Sequence, residues 1–277
     1  MVKAYHRPAR MDEALKLMAN PQDKNVPLAG GTTLALNPRG IDGLVDLAAL
    51  NLTYIRSGDA LRIGATTPIR EIHRSEHVRQ FAQGILAESA QNYLTALIRN
   101  RATLGGVLAA GSFWADLAAV LVALNASVKM LIPTDSSGQH KPAEVSVEDF
   151  VQKGPRKTLA GGILQEIVVP ACGPSDRCIY NRLAKVETDI SILSGAAKIT
   201  MSGKNIQSAR LVIGNGVRPV RLANAEGQIR GMTPAAAGAY AEAAAREIPA
   251  DSDIRASAEY RKTVAGVLAR RLLQDLI

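Results

Sequence analysis

The amino-acid sequence predicts an α+β protein with more than one structural part. Three observations lead to this prediction: a strand–helix–strand pattern opens the chain, a hairpin signal follows it, and the chain closes with a run of strands and then helices. Strands paired through hairpins, with helices grouped after them, are typical of α+β folds. With 277 residues, 47% of them hydrophobic, the chain exceeds one typical domain and can bury a sizeable core.

The first part of the chain predicts a small α/β lobe. Asp12 and Glu13 lie in the first turn of a helix that Asn20 and Pro21 end. The short apolar runs at 26–28 and 44–47 predict two strands that follow this helix.

The middle of the chain predicts a second group of strands and helices. Ser57-Gly58-Asp59-Ala60 is a hairpin signal between two short strands. The predicted elements are, in chain order, strands at 54–56 and 61–64, a long helix over 78–93, a strand at 128–132, a turn at 135–138 and a strand at 163–170.

Residues 171–177, ACGPSDR, are rich in turn formers and predict a domain boundary. After them we expect an antiparallel sheet followed by helices. The predicted elements are strands at 178–184, 189–200 and 208–213, a hairpin turn at 202–205, and helices over 223–229, 234–248 and 256–276.

The stretch 99–126, RNRATLGGVLAAGSFWADLAAVLVALNA, organises the rest of the chain. Its second half predicts a helix with one apolar face, on which Leu117, Val120, Leu121 and Leu124 recur at i, i+3, i+4 and i+7. Asp116 stands at the start of this helix, where a negative charge interacts favourably with the helix dipole.

The first half of the same stretch contains a glycine pair, Gly105 and Gly106, after the basic residues Arg99 and Arg101 and before a small-residue run, 109–112. Backbone N–H groups of paired glycines can approach a ligand closely, because there is no Cβ. Successive N–H groups in a turn can form a concave anion site. A plain turn is the alternative, and the motif by itself favours that alternative.

A second glycine pair changes this balance. Residues 28–34, LAGGTTL, combine an apolar start, Gly30-Gly31 and hydroxyl groups that can donate hydrogen bonds to phosphate oxygens. The two segments together predict that a phosphate or diphosphate is held between them.

Composition limits the other possibilities. The net charge is +8, but aromatic residues are 4% of the chain and the basic residues are spread along it, so we expect no nucleic-acid binding. No apolar run has the length of a membrane span, and no signal-peptide core is visible, so we expect a cytoplasmic protein. The two cysteines, Cys172 and Cys178, allow one disulfide or two reduced thiols, but not an iron–sulfur cluster with four thiolate ligands.

At the two glycine segments the chain resembles the FAD-binding, or medium, subunit of the molybdenum hydroxylases of the carbon monoxide dehydrogenase and xanthine dehydrogenase type. That family carries an Ala-Gly-Gly-Thr loop and, about seventy residues later, an Ile-Arg-Asn-x-x-Thr-x-Gly-Gly-Asn loop. The matching residues here are 29–33 and 98–106, and 115–118 match the Ala-Asp-Leu-Ala start of the next helix. The resemblance covers essentially the whole chain.

The resemblance implies a fold and a domain division. Residues 1–170 would form a two-lobed FAD-binding domain of the vanillyl-alcohol oxidase/PCMH type, with lobe one at about 1–52 and lobe two at about 53–170. Residues 175–277 would form a small C-terminal domain of an antiparallel sheet plus helices.

The resemblance also implies cofactor-binding residues and no catalytic or metal-binding residue. One side of the FAD diphosphate would be held by Leu28, Ala29, Gly30, Gly31, Thr32, Thr33 and Leu34, and the other by Ala102, Thr103, Gly105, Gly106 and Ala109. Asp116 would accept hydrogen bonds from cofactor hydroxyls, with helix capping as its alternative role. Leu164 would lie near the flavin or pack in the core.

Three positions stay open against the family pattern. A family lysine in a Tyr-x-Lys motif corresponds to Arg182 or, counted from the other side, to Asn181. Two family asparagines are replaced by Val107 and Ala110, which removes two side-chain amides.

The implied function is electron transfer. A molybdenum-pterin large subunit would oxidise a substrate, a small subunit with two-iron two-sulfur clusters would relay electrons, and FAD on this chain would reduce NAD or dioxygen, in what would be a dimer of heterotrimers. The alternatives are a stand-alone flavin oxidoreductase of the same fold and a flavin-free scaffold or basic binding subunit.

Overall fold

A computed structural model describes residues 2–20, 22–36, 38–111, 115–134 and 139–276. Its strands are β1 (Ala4–His6), β2 (Asn25–Leu28), β3 (Gly43–Asp46), β4 (Ile55–Arg56), β5 (Ala60–Gly64), β6 (Ser127–Pro133), β7 (His140–Ser146), β8 (Ile163–Pro170), β9 (Asp176–Leu183), β10 (Leu193–Ser202), β11 (Asn205–Gly214) and β12 (Pro219–Arg221). Its α-helices are α1 (Met11–Met18), α2 (Ile69–Arg74), α3 (Glu76–Gln80), α4 (Ile85–Gln91), α5 (Ala96–Arg99), α6 (Leu104–Ala110), α7 (Ala115–Ala123), α8 (Val147–Lys153), α9 (Pro155–Leu159), α10 (Ala223–Gln228), α11 (Pro234–Arg246) and α12 (Ala258–Gln274). The predicted turn at 135–138 and Ser112 lie outside the described residues.

The first sheet is small and parallel. Its strands lie in the order β1-β3-β2, and α1 packs against β2 and β3. Leu15 of α1 and Val45 of β3 share an apolar cluster with Ile163, which belongs to β8 of the next sheet. This cluster therefore joins the first sheet to the rest of the molecule.

The second sheet has the strand order β4-β5-β8-β6-β7 and is antiparallel throughout. The third sheet, β12-β11-β10-β9, is also antiparallel, and α11 and α12 pack on each other and against it. The predicted α+β class is confirmed.

The prediction of one continuous helix over 78–93 is wrong. The chain forms α3, then a 3₁₀ turn at Phe81–Gly84, then α4, and inside the turn Ala82 and Gln83 have φ of 50° and 53°. Gly84 follows with φ of +78°, a conformation that suits glycine. The break has a tertiary partner, because the Gln83 Oε1 atom accepts the backbone N–H of Cys178 at 2.8 Å.

Helix α7 lies between the second and third sheets. It contacts α4 and α8 on the N-terminal side of the chain and β10, β11 and β12 of the third sheet. The predicted apolar face is buried, but so are the alanines between it: every residue from Leu117 to Leu124 is at most 6% exposed. A helix that is apolar all round belongs in the interior, so the two halves of the molecule share this core.

Among the described residues, no helix combines the length and the apolar character that a membrane crossing requires.

Candidate functional site

The first glycine segment leaves a run of unpaired backbone donors. After β2 the chain turns at Gly31, which has φ of +73°. It then enters a 3₁₀ turn at Leu34–Leu36, where Ala35 N–H donates to the Gly31 carbonyl at 2.9 Å. The backbone N–H groups of residues 30–34 donate to no described residue. Such a run of free N–H groups is what an anion such as a diphosphate requires.

Gly30 brings this segment into backbone contact with the second one. A Cβ built on Gly30 would lie 1.9 Å from the Arg101 carbonyl oxygen and 2.7 Å from its carbonyl carbon. No side chain fits at that separation, so only glycine allows the approach. The two glycine segments, 71 residues apart between Gly30 and Arg101, therefore meet, as the sequence predicted.

A cavity of about 370 Å³ opens beside this contact. Its lining consists of Val2, Leu28, Gly30, Gly31, Thr32, Leu34, Ala35, Pro38, Ile41, Leu44 and Arg101. Most of these residues are apolar, and the lining also includes Arg101 and four residues of the segment with unpaired N–H groups. An apolar cleft with a few convergent polar groups is the usual form of a cofactor site.

Arg101 is the site residue that the sequence-based assignment missed. Its side chain is exposed at the cavity and makes no hydrogen bond or ion pair with any described residue. Arg99 is different, because its guanidinium donates to the carbonyl groups of Tyr93 and Leu94. The basic pair seen in the sequence thus divides into a structural residue and a free cation.

The second glycine pair is not an open turn. Gly105 and Gly106 lie in the first turn of α6, capped by Thr103. Gly105 N–H donates to the Ala65 carbonyl at 2.9 Å and Gly106 N–H to Thr103 Oγ1 at 3.2 Å. Both N–H groups are therefore bonded within the protein, and the assignment of Gly105 and Gly106 to cofactor binding stays a prediction.

Close packing explains why glycine occupies position 105. A Cβ on Gly105 would lie 2.7 Å from the Ala65 carbonyl oxygen, so the glycine lets α6 approach the end of β5. Gly106 remains exposed, whereas Ala102 and Thr103 are buried.

Asp116 and Arg182 meet where α7 faces β9. Arg182 Nε lies 3.8 Å from Asp116 Oδ2, and the same oxygen accepts hydrogen bonds from Tyr180 and Ser191. The second carboxylate oxygen, Oδ1, accepts no hydrogen bond from a described residue. The Asp116 side chain is 16% exposed. Burial and the Asp116 charge raise the pKa of Tyr180, so its hydroxyl stays protonated and donates.

Arg182 is held by backbone carbonyls as well. Its Nη atoms donate to Asn92 at 2.9 Å and to Asp189 at 2.6 Å. Alternation along β9 places Tyr180 and Arg182 on one face and Asn181 on the other. Arg182 therefore points towards the N-terminal half, where its guanidinium reaches Asn92. This geometry favours Arg182 over Asn181 as the counterpart of the family lysine.

The remaining predicted residues lie deeper. Leu164 is 6% exposed and belongs to the main apolar core, which fits the packing alternative. Val107 is also buried in that core, while Ala109 and Ala110 are half-buried on α6. The apolar Val107 side chain therefore packs where the family pattern has an amide.

The residues of the first segment and Arg101 suit a diphosphate-bearing cofactor such as FAD. The N–H groups at 30–34 and the Arg101 side chain have no partner among the described residues, and Arg101 and four residues of this segment line one cavity. The close approach at Gly30 admits no side chain. Asp116 and Arg182 form a second polar centre, and helix α6, about 10 Å long, lies between these centres in the chain.

Comparison with known proteins assigns the chain to a family. Residues 1–172 match the family described as the FAD binding domain in molybdopterin dehydrogenase, and residues 179–276 match the CO dehydrogenase flavoprotein C-terminal domain. The glyceraldehyde dehydrogenase medium chain of Sulfolobus acidocaldarius is 27% identical over 285 residues, covering 99% of this chain and 98% of the relative. The nicotine 6-hydroxylase medium subunit of Paenarthrobacter nicotinovorans is 28% identical, covering 98% of this chain and 96% of the relative.

A solved structure agrees in fold. It is carbon monoxide dehydrogenase from Hydrogenophaga pseudoflava lacking the Mo-pyranopterin moiety of the molybdenum cofactor, with a TM-score of 0.89 and 26% identity, covering 100% of this chain and 97% of that chain. The resemblance seen at the glycine segments is thereby confirmed, and the chain belongs to the family of FAD-binding subunits of the molybdenum hydroxylases.

Proposed function

We propose that this chain is the FAD-carrying electron-transfer subunit of a multi-subunit molybdenum hydroxylase. The observation that supports the proposal is the contact of Gly30 with the Arg101 backbone, beside a cavity lined by Arg101 and by residues whose N–H groups are unpaired in the described part of the chain. In a family of FAD-binding subunits, this arrangement suits the cofactor diphosphate.

The residues of the chain bind and orient the cofactor. The N–H groups of residues 30–34 would hold the diphosphate, and Arg101 would neutralise part of its charge. Asp116 Oδ1 would accept a hydrogen bond from a cofactor hydroxyl, since Oδ2 is already held by Tyr180 and Ser191. Bound FAD would supply the redox chemistry, with NAD or dioxygen as the acceptor.

Partner subunits would carry the other redox groups. Two relatives bear the names medium chain and medium subunit, and the structural neighbour is described with a molybdenum cofactor. Two cysteines cannot supply the four thiolate ligands of an iron–sulfur cluster. We therefore assign the molybdopterin to a large subunit and the two-iron two-sulfur clusters to a small subunit, in a dimer of heterotrimers.

The domain division and the location belong to the same proposal. The second sheet ends at Pro170 and the third begins at Asp176, which supports a division into 1–170 and 175–277. A chain with two cysteines, too few for a disulfide framework, is expected in a reducing compartment such as the cytoplasm.

Purification of the native complex tests the proposal. We expect one FAD per copy of this chain, a flavin absorbance spectrum, and two further chains that carry molybdopterin and iron. Native mass spectrometry gives the stoichiometry, and reoxidation of the reduced complex by NAD or by dioxygen identifies the acceptor. A complex without flavin, or a chain that purifies alone with its own substrate turnover, would contradict the proposal.

A flavin-free scaffold is the second candidate function, because two observations favour it. Val107 replaces a family amide with a buried apolar side chain, and the N–H groups of Gly105 and Gly106 are already bonded within the protein. The flavin content of the purified complex separates this candidate from the first.

A further inference from the structure

Cys172 and Cys178 are brought together by the turn that leads into the third sheet. The Asp176 N–H donates to the Gly173 carbonyl at 3.0 Å, and the Gly173 N–H donates to Asp176 Oδ2 at 2.9 Å. The chain thus folds back at 173–176, and both cysteines pack in the same apolar cluster.

The two thiols differ in access. Both are free, but Cys178 is 7% exposed and Cys172 is partly open to solvent. A small reactant in solution therefore meets Cys172 first.

A lysine is held beside Cys178. Lys198 of β10 faces Cys178 of β9 in the register of the sheet. The Cys178 N–H donates to Gln83 instead of β10, so this is a non-hydrogen-bonded pair, in which side chains of antiparallel strands come closest. Lys198 Nζ is fixed 3.1 Å from Asp176 Oδ2, and its side chain is only 18% exposed.

These contacts separate the acidities of the thiols. The hydrogen bond from Cys178 and the Lys198 charge lower the pKa of Cys172 to about 7, against burial and the Asp176 charge, which raise it. The hydrogen bond to Cys172 and burial raise the pKa of Cys178. Cys172 is thus the thiol that ionises at neutral pH, and the thiolate is the reactive form of cysteine.

We propose that Cys172 and Cys178 form a peroxide-sensitive dithiol, in which Cys172 reacts first and Cys178 closes a disulfide. The Cys172 thiolate attacks one oxygen of hydrogen peroxide, the O–O bond breaks, and the released hydroxide takes a proton to become water. Cys178 then attacks the resulting sulfenic acid, the S–O bond breaks, and a second water leaves with the Cys178 proton. In total, two thiols and one hydrogen peroxide give one disulfide and two waters.

The disulfide would link the chain segment after β8 to the strand that also carries Tyr180 and Arg182. It does not depend on the proposed flavin function, because none of the groups in the reaction belongs to the cavity at Gly30. A thiol reductant would reverse it.

The test uses the purified full-length protein, in its complex if partner chains co-purify. The protein is treated with a small excess of hydrogen peroxide at neutral pH, unreacted thiols are alkylated, and the chain is analysed by intact mass and peptide mapping. We expect a Cys172–Cys178 cross-link, loss of both alkylation sites, and recovery of both after reduction. Persistence of two alkylatable thiols, or overoxidation of Cys172 without a cross-link, would overturn the proposal.

Variants separate the roles of the groups. In Cys178→Ser, the reaction stops at the Cys172 sulfenic acid, which dimedone traps; in Cys172→Ser, no sulfenic acid forms. Lys198→Gln slows alkylation of Cys172 at pH 7 by about tenfold, since the thiolate fraction falls. Lys262→Gln, an exposed lysine on α12, is the matched control and leaves the rate unchanged. Circular dichroism shows that each variant is folded, and equal alkylation rates of the two cysteines in folded wild-type protein would contradict the assigned order.

Discussion

At the scale of single residues, Gly30 lets the first glycine segment touch the Arg101 backbone, and both residues line the cavity. Gly30, which has no Cβ, and Arg101, whose guanidinium is unpaired among the described residues, thus belong to the same cavity. Each can be tested by one substitution.

Gly30→Ala places a methyl group where the Arg101 carbonyl oxygen lies 1.9 Å away. Because the new methyl group meets backbone rather than a flexible side chain, one of the two segments has to move. We therefore expect a loss of about 1–3 kcal/mol in unfolding free energy. FAD affinity falls at least about tenfold, because the loop donors are displaced. Flavin fluorescence titration of the flavin-depleted complex and urea unfolding measure both effects.

Gly58→Ala is the matched control, since nothing lies within 4 Å of a Cβ at that position. It leaves affinity and stability near the wild-type values. Equal behaviour of the two variants would show that the contact at Gly30 has no influence on the site.

Arg101→Gln removes the free charge without removing a protein–protein hydrogen bond. We expect FAD to bind about 10- to 100-fold more weakly, the range for loss of a hydrogen bond to a charged group, while the unfolding midpoint stays unchanged. Arg271→Gln, another exposed arginine without a side-chain partner among the described residues, serves as the control. Binding to wild type also weakens with added salt more steeply than binding to the variant, and a parallel salt dependence would contradict a direct contact.

The two glycine segments and their meeting were predictable from residue types, but the division of labour between the arginines was not. Arg99 and Arg101 look alike in the sequence, and only the backbone path near Tyr93 and Leu94 gives Arg99 two carbonyl acceptors. The hydrogen bond of the Gly105 N–H could not be predicted either, because its acceptor, the Ala65 carbonyl, is distant in sequence.

At the scale of elements, α7 and β9 meet through Asp116. Asp116→Asn keeps the size of the side chain but removes its charge and places an amide near Tyr180 and Ser191. If Oδ1 receives a cofactor hydroxyl, FAD affinity falls about tenfold or more. Tyr180→Phe removes one hydrogen bond to Oδ2 and serves as the comparison, with little change in affinity. A larger loss in Tyr180→Phe than in Asp116→Asn would reject the role proposed for Asp116.

The predicted strands and terminal helices follow local patterns, and the structure reproduces them with small shifts of their ends. The predicted helix over 78–93 is interrupted at Phe81–Gly84, where Gln83 accepts a hydrogen bond from Cys178 of β9. Burial of α7 on all sides also exceeds what its apolar spacing predicted, because the third sheet covers it. Both differences lie where the two halves of the chain make contact, and no local sequence pattern records such contacts.

The Asp176 carboxylate, at the start of β9, should make the stability of the third sheet sensitive to acid. Burial raises its pKa, but hydrogen bonds from Thr200 and Gly173 and the charge of Lys198 outweigh this effect, so its pKa in the folded state lies below the ordinary value. The stabilisation is therefore present above about pH 4 and is lost as the pH falls towards the folded-state pKa.

Asp176→Asn should cost about 2 kcal/mol in unfolding free energy at pH 7, and the difference from wild type should narrow below pH 4. Urea unfolding across this pH range provides the measurement. Asp59→Asn, whose side chain is 87% exposed, is the control. A gap between wild type and Asp176→Asn that stays constant down to acid pH would contradict the assignment.

At the scale of the whole molecule, α7 belongs to the core of both halves, so the chain should unfold as one unit. Leu121→Ala leaves a cavity at a fully buried position and should cost about 2–5 kcal/mol. Backbone circular dichroism and alkylation of Cys178, which report on the whole chain and on the third sheet, should give coincident urea midpoints in wild type and variant. Leu97→Ala, at an 80% exposed position, is the control, and two separated transitions would show that the halves are independent.

The burial of α7 also limits how this family can exchange parts. A fragment that ends after β8 would present the apolar flank of the helix to water, and a fragment that starts at β9 would lack the surface on which its sheet rests. Chimaeras that join the N-terminal half of one relative to the C-terminal half of another must therefore match side-chain volumes across this helix. Recombination at the turn-rich segment 171–177 is for this reason a poor route to new combinations.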